Sequence, residues 1–326
     1  MAALRSIHFS LICAKLFILK ILTDMFTSFN DIFGELASRG AKKRMIVAWG
    51  VDEHTIAAAS KAVDLGLIEA TLVGDENLIK AVCEKDGIDK GKFTVINNPV
   101  EAKAIAQAVA MINEGAGDFL MKGLCSTDKY LRAILNKETG ILPPKAVLTH
   151  VAVLENPNYH KLIFLSDMAV IPAPDLKQKK AMLGFLVNTA HSMGIQTPKV
   201  AIIAATEQML EGMPACVEAA VLAKKVERGE IKGCVADGPL ALDVAIDMES
   251  VQIKGLKSPV AGDADCLLFP NIESANVFYK TNSKLAVGVK QAGMAVGAKV
   301  PCVLSSRGDS IDTKLNSIAI AAMSCK

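Results

Sequence analysis

Aromatic side chains are scarce in this 326-residue chain, at 5% with a single Trp, while hydrophobic residues make up 51%. Its cores must therefore be built from Ala, Val, Ile and Leu, the composition of parallel strands covered by helices on both faces. Charge of one sign is also lacking: 36 basic residues stand against 34 acidic ones, a net of +2. That balance excludes a basic footprint for nucleic acid and a polybasic surface for anionic lipid, and leaves small molecules as the expected partners. The eight cysteines stand singly, with no C-x-x-C, and the five histidines do not cluster at ligand spacing. A disulfide framework and a structural zinc are thereby excluded, no metal is expected, and a reducing cytoplasmic setting fits. Neither G-x-G-x-x-G nor G-x-x-x-x-G-K-[ST] occurs, so the usual nucleotide-binding fingerprints are missing. The apolar run at 7–22 is interrupted by Lys15 and Lys20, falls short of a membrane span and is followed by no small-residue cleavage site.

What is present is a rhythm. The length suits two domains, because single cores usually stop growing below this size. Residues 1–24 read either as an extension outside the fold or as an amphipathic surface helix. From Met25 onward, Phe26, Phe29, Ile32, Phe33 and Leu36 fall at helical spacing. MIVAWGV, ATLVGD, FTVINN and FLMKGL then alternate with helical stretches, the βαβ pattern of a parallel sheet. Asn98 is predicted to cap the helix that Gly115 stops, and Ser126 the helix over 127–137. Gly140, Pro143 and Pro144 mark an interior boundary. AVLTHVAVLE, LIFLSDMAVIP, KVAIIAAT, GCVADGPL and CLLFPNI continue the theme, with the first two predicted to form an antiparallel hairpin.

Ligands of open α/β sheets bind beyond the carboxyl ends of the strands, so the residues that follow each apolar run are the candidates. After FLMKGL come Ser126 and Thr127 at a helix start, with Arg132 further along. Backbone N–H groups, hydroxyls and a guanidinium suit an anion, although Asp128 and Arg132 also read as an ordinary i, i+4 surface pair. After GCVADG come Asp237, Asp243 and Asp247, carboxylates that could hold a metal or cap a helix. After CLLF come Asn271, Glu273, Asn276 and Lys280, the last three sharing one helical face. The final apolar run empties into VLSSRGDS at 303–310, where Ser306 and Arg307 suit a phosphoryl group and Asp309 could serve as a base. Its Arg-Gly-Asp tripeptide also spells a cell-adhesion signal, a reading that would require export.

Several stretches together resemble the phosphate acetyltransferase and phosphate butyryltransferase family: LMKGLCSTDKYLRAILNKETG at 120–140, DGPLALDVAID at 237–247, KSPVAGDADCLLFPNIESANVFYK at 257–280 and GAKVPCVLSSRGDS at 297–310. The resemblance runs from Met25 to the C-terminus and is stronger toward the shorter, butyryl-type branch. It implies two α/β domains with mainly parallel sheets flanked by helices, arranged as in isocitrate and isopropylmalate dehydrogenases, with the active site in the interdomain cleft. The expected division is 25–144 plus 297–326 for the first domain and 145–296 for the second. It further implies reversible transfer of a short acyl group between coenzyme A and inorganic phosphate, with acyl-CoA, CoA, phosphate and acyl phosphate as ligands. Coenzyme A enters as a substrate, no tightly bound cofactor is expected, and family members commonly form homodimers or larger homo-oligomers.

By motif, Ser306 and Arg307 match the family's serine-arginine pair and Arg132 its arginine after the "KG" strand. The family's catalytic aspartate follows that pair at a spacing that lands here near Thr313, so Asp309 and Asp312 are both candidates for the base. A metal- and NAD-dependent dehydrogenase of similar build is the alternative from another class, resting on Asp237, Asp243 and Asp247.

Overall fold

The structure, a computed structural model, describes residues 25–306 and 308–326; the expectations for residues 1–24 and for Arg307 lie outside the described residues. The first part of the chain alternates strictly: α1 (Phe29–Ser38), β1 (Lys43–Ala48), α2 (Glu53–Asp64), β2 (Ile68–Gly74), α3 (Glu76–Asp86), β3 (Phe93–Asn97), α4 (Glu101–Asn113), β4 (Phe119–Lys122) and α5 (Thr127–Leu135). Next come β5 (Thr149–Glu155), β6 (Ile163–Ser166), α6 (Leu176–Ser192), β7 (Lys199–Ile203), α7 (Pro214–Glu227), β8 (Val235–Leu240), α8 (Leu242–Ile246) and α9 (Met248–Lys254). The last elements are β9 (Cys266–Leu268), α10 (Ile272–Leu285), β10 (Lys290–Val296), β11 (Cys302–Val303) and α11 (Ile311–Ser324).

The eleven strands among the described residues join one sheet in the order β3-β2-β1-β4-β11-β10-β5-β6-β9-β7-β8. The side from β3 to β11 is parallel throughout. The predicted hairpin is present as the antiparallel pair β5 and β6. Beyond it, β10 lies antiparallel to both β11 and β5, two pairings that the sequence reading did not anticipate. Lys290–Val296 carries Ala and Gly in place of the aromatic or β-branched residues that usually announce a strand. It is a strand because it is buried from Gln291 onward between two neighbours. Beyond β6 the sheet is parallel again, now running against the first side.

Strand alternation separates the two faces. Met45 and Val47 of β1 pack in the core that includes Ile56 of α2 and Leu315 and Ile318 of α11, while Ile46 and Ala48 pack with Ile105 and Val109 of α4 and Tyr130 of α5. Helices thus cover both faces, as parallel strands require. The final helix is buried from Lys314 to Met323 and returns the end of the chain to the first side of the sheet.

Two boundaries move. Asn98 does not cap α4: its backbone N–H is bound to the Gly74 carbonyl in extension of the sheet, so the helix starts only at Glu101 after an uncapped Val100. Ser126 caps α5 as expected, but the helix ends at Leu135 because Asn136 turns its side-chain oxygen to the N–H groups of Glu138 and Thr139.

Candidate active site

A depression of about 540 Å³ opens where the two sides of the sheet meet. Because three successive antiparallel pairings, β11 with β10, β10 with β5 and β5 with β6, reverse the strand direction overall, residues beyond the carboxyl ends of two opposed sets of strands reach it together. Lys122 ends β4, residues 304–306 and Asp309 follow β11, Met168 and Ala169 follow β6, and Ile272, Asn276, Tyr279 and Lys280 belong to the helix after β9. Thr127 and His150 complete the lining.

Lys122 is 2% exposed, and its Nζ donates to the carbonyls of Gly123 and Cys125 at 3.2 and 2.9 Å. A buried ammonium needs such oxygens to replace its lost hydration. The chain can turn so tightly there only because residue 123 is glycine, since a Cβ would stand 2.1 Å from the Trp49 carbonyl oxygen. Ser305 is buried and accepts from Lys314 Nζ at 3.0 Å, while burial pulls the Lys314 ammonium below its ordinary pKa against the pull of Asp52 and Asp309. The exposed Ser306 donates its backbone N–H to Asp309 Oδ2 at 2.6 Å, and its hydroxyl accepts from Gly308 N at 3.4 Å. Ser306 and Asp309 therefore form one compact turn with both side chains at the depression.

His150 lies at the floor with Nδ1 2.6 Å from Met168 Sδ and Nε2 3.4 Å from the Leu304 carbonyl oxygen. Burial lowers its pKa, outweighing Asp167, the Leu304 carbonyl and Asp309. Asn276 Nδ2 donates to the Met168 carbonyl at 3.0 Å, and Lys280 Nζ sits 5.7 Å from the centre of the Tyr279 ring. With two ammoniums and one carboxylate on its wall, the depression favours an anion.

Of the sequence-predicted residues, the structure brings together Thr127, Asn276, Lys280, Ser306 and Asp309. Ser126 and Asn271 are outside the lining and act as helix caps, accepting from the N–H groups of Lys129 and Ser274. Glu273 is exposed in the first turn of α10 and outside the lining. Asp312 is 74% exposed and paired with Lys61 at 2.8 Å. Arg132 is 80% exposed, donates from Nε to Asp128 Oδ1 at 2.9 Å, and borders a separate depression against α4. Arg307 lies outside the described residues.

Lys122, His150, Met168 and Tyr279 were missed. Lys122 had a signal, as the last residue of the strand FLMK. His150 had none, because it lies near the start of its strand, where an inspection of strand ends does not look.

The carboxylates of the dehydrogenase alternative are spent locally. Asp237 accepts from the N–H of Gly238, Asp243 pairs with Lys254 at 2.9 Å, and Asp247 caps α9. No group of three His, Cys, Asp or Glu among the described residues is placed to hold a metal ion. Cys125 and Cys302 are buried, and burial holds both thiols protonated, pushing the second up to about 12. Neither is a ready nucleophile. No helix among the described residues is long and apolar enough to cross a membrane.

Comparison with known proteins adds a second line. A family model described as phosphate acetyl/butaryl transferase matches residues 28–104 and 92–322. A phosphate butyryltransferase of Clostridium acetobutylicum is 44% identical over 299 residues, covering 92% of this chain and 98% of its own. A phosphate acetyltransferase of Rhizobium meliloti is 38% identical over 85% of this chain and 87% of its own. Among solved structures, a branched-chain phosphotransacylase from Enterococcus faecalis V583 superposes with a TM-score of 0.76 at 27% identity, over 86% of this chain and 98% of that one. A 4-hydroxythreonine-4-phosphate dehydrogenase from Klebsiella pneumoniae shares the fold alone, at a TM-score of 0.54 and 11% identity.

Proposed function

The chain belongs to the phosphate acetyl/butaryl transferase family, and on that premise we propose that the depression between the two sides of its sheet exchanges a short acyl group, butyryl-sized, between coenzyme A and inorganic phosphate. The observation that carries this reading is that Ser306 and Asp309 line the same depression as the ammoniums of Lys122 and Lys280. The reading treats residues 25–144 with 297–326 as one unit and 145–296 as the other. In its support, β1 to β4 and β11 fall on one side of the sheet and β5 to β10 on the other.

In the direction of acyl phosphate formation, a phosphate oxygen attacks the thioester carbonyl and the carbonyl oxygen becomes an oxyanion. Collapse breaks the carbon–sulfur bond and releases the CoA thiolate, which takes up the proton that the attacking hydrogen phosphate gives away. Lys122 and Lys280 hold the phosphate beside the carbonyl, so that part of the barrier is met by orientation. The Ser306 hydroxyl donates to the developing oxyanion. Asp309 carries the proton between phosphate and sulfur, and in reverse accepts it from the CoA thiol. Asp309 is chosen over Asp312 because it lines the depression while Asp312 is paired outward with Lys61. Arg307 joins the phosphate clamp by its motif. The outward Arg132, held by Asp128, is given no part in it.

The test follows thiol release from butyryl-CoA with and without phosphate, in the presence of a chelator. Release that requires phosphate and persists with the chelator supports the reading. Absence of phosphate-dependent release, or turnover that requires NAD and a metal, overturns it.

A further inference from the structure

Besides its charged and polar groups, the depression has an apolar lining made by Met168, Ala169, Ile272, Tyr279 and Leu304. Such a surface beside a polar cluster is what an acyl chain requires once its carbonyl is held by hydrogen-bond donors. One member of the wall is fixed far more tightly than a surface loop would demand. The Asp167 carboxylate accepts from the Thr149 hydroxyl at 2.7 Å and from the N–H groups of His150, Ala169, Val170 and Ile171 at 3.2, 2.8, 3.0 and 3.1 Å. The Met168 carbonyl is held by Asn276, its sulfur lies against the His150 ring, and the residue is 2% exposed. Behind the ring lies Gly293, where a Cβ would stand 2.6 Å from His150 Cε1. Gly293, His150 and Met168 therefore form a stack in which each position depends on the one behind it. Methionine ordinarily adapts to its surroundings because its side chain is unbranched and flexible. Here both its backbone and its sulfur are pinned.

We propose that Met168, backed by His150 and Gly293, is the stop against which the end of the acyl chain rests, and so sets the chain length the enzyme accepts. The proposal rests on the acyl-transfer reading above and names the part of that site that selects among acyl groups. Shortening Met168 lengthens the slot, and adding a methyl group at Gly293 shortens it by pushing His150 and Met168 forward. Discrimination by a single methylene in an apolar pocket is about 10- to 200-fold, so removing most of one side chain produces a measurable inversion.

The experiment measures kcat/KM for phosphate-dependent thiol release from acetyl-, butyryl- and hexanoyl-CoA in the unaltered enzyme, in Met168→Ala and in Gly293→Ala. The expected result is a rise of about tenfold or more in the hexanoyl-to-butyryl ratio for Met168→Ala, and a fall in the butyryl-to-acetyl ratio for Gly293→Ala. An active Met168→Ala enzyme with unchanged ratios overturns the proposal and leaves the acyl-transfer reading intact. If the unaltered enzyme releases no thiol from any of the three, the acyl-transfer reading falls and the proposal with it. Should Met168→Ala fail to fold by thermal melting, Ile272→Ala on the half-exposed part of the same wall replaces it. A hexanoyl gain in that variant supports an acyl slot at this wall, and its absence overturns the proposal.

Discussion

Two helices begin beside the depression, and in the sequence they look alike. The helix Thr127–Leu135 follows β4, is capped by Ser126 and carries Arg132; the helix Ile272–Leu285 follows β9, is capped by Asn271 and carries Lys280. Each therefore offers a capped start and a cation to an anion. The structure separates them. On the first helix Asp128 lies one turn before Arg132 and holds its guanidinium on the outer face. On the second, Asn276 and Lys280 both line the depression, and Asn276 is tied across it to the Met168 carbonyl. A cap fixes where a helix starts, whereas the rotation of the helix about its axis, set by what it packs on, fixes which side chains enter a site. The start of the helix Ile311–Ser324 repeats the contrast within a few residues, with Asp309 inward and Asp312 outward.

The inward and outward carboxylates give the largest expected difference. Asp309→Asn should lower kcat by about 10²- to 10⁴-fold, the usual worth of a positioned acid or base, whereas Asp312→Asn should stay within about twofold because exposed ion pairs contribute little. Steady-state rates with butyryl-CoA decide it, and equal losses in the two variants would erase the distinction. The cations come next. Lys280→Met should raise the KM for phosphate about tenfold or more, as expected for losing a charge-assisted hydrogen bond, while Arg132→Met should leave it nearly unchanged. A phosphate titration showing the larger effect for Arg132 would reverse the comparison.

How much of this was legible depended on the range of the interaction. Ser126, Asn271, Ser306 and Asp309 could be found because strand ends and helix caps are local, written in neighbouring residues. Lys280 could be found too, through the helical face it shares with Asn276. The outward turn of Arg132 could not, because an anion clamp and an i, i+4 pair with Asp128 read equally well in the sequence. His150 and Met168 were silent for another reason: they meet through the pairing of β5 with β6, and the partner behind them, Gly293, lies on a strand whose sequence does not look like one.

The two caps themselves should behave alike, which sharpens the contrast in function. Ser126→Ala and Asn271→Ala should each cost about 1 kcal/mol, read as similar falls in urea midpoint. Unequal losses would show that one helix start is supported by more than its cap. The smallest effect concerns the ion cluster just ahead of β9. Asp263, just ahead of β9, is pushed up by burial, but Lys199 and Lys161 outweigh that and lower it to about 2. A carboxylate depressed in the folded state stabilises above its unfolded pKa, so this contribution is complete above about pH 5 and fades as the pH falls toward 2. With its side chain 32% exposed, solvent screening leaves about 1 kcal/mol. Asp263→Asn should therefore narrow the gap between urea midpoints measured at pH 6 and pH 3, and an unchanged gap would remove Asp263 from the account.

The sequence by itself determined the α/β class, the alternation of strands and helices and the small residues that follow the strands, because hydrophobic period and turn chemistry act over a few neighbouring residues. It also carried the family, through motifs spread along most of the chain. Only the tertiary structure decided which of those residues share a wall. That choice depends on the three strand reversals from β11 through β10 and β5 to β6 and on how each helix is rotated over the sheet, and both are settled by packing between segments far apart in the chain.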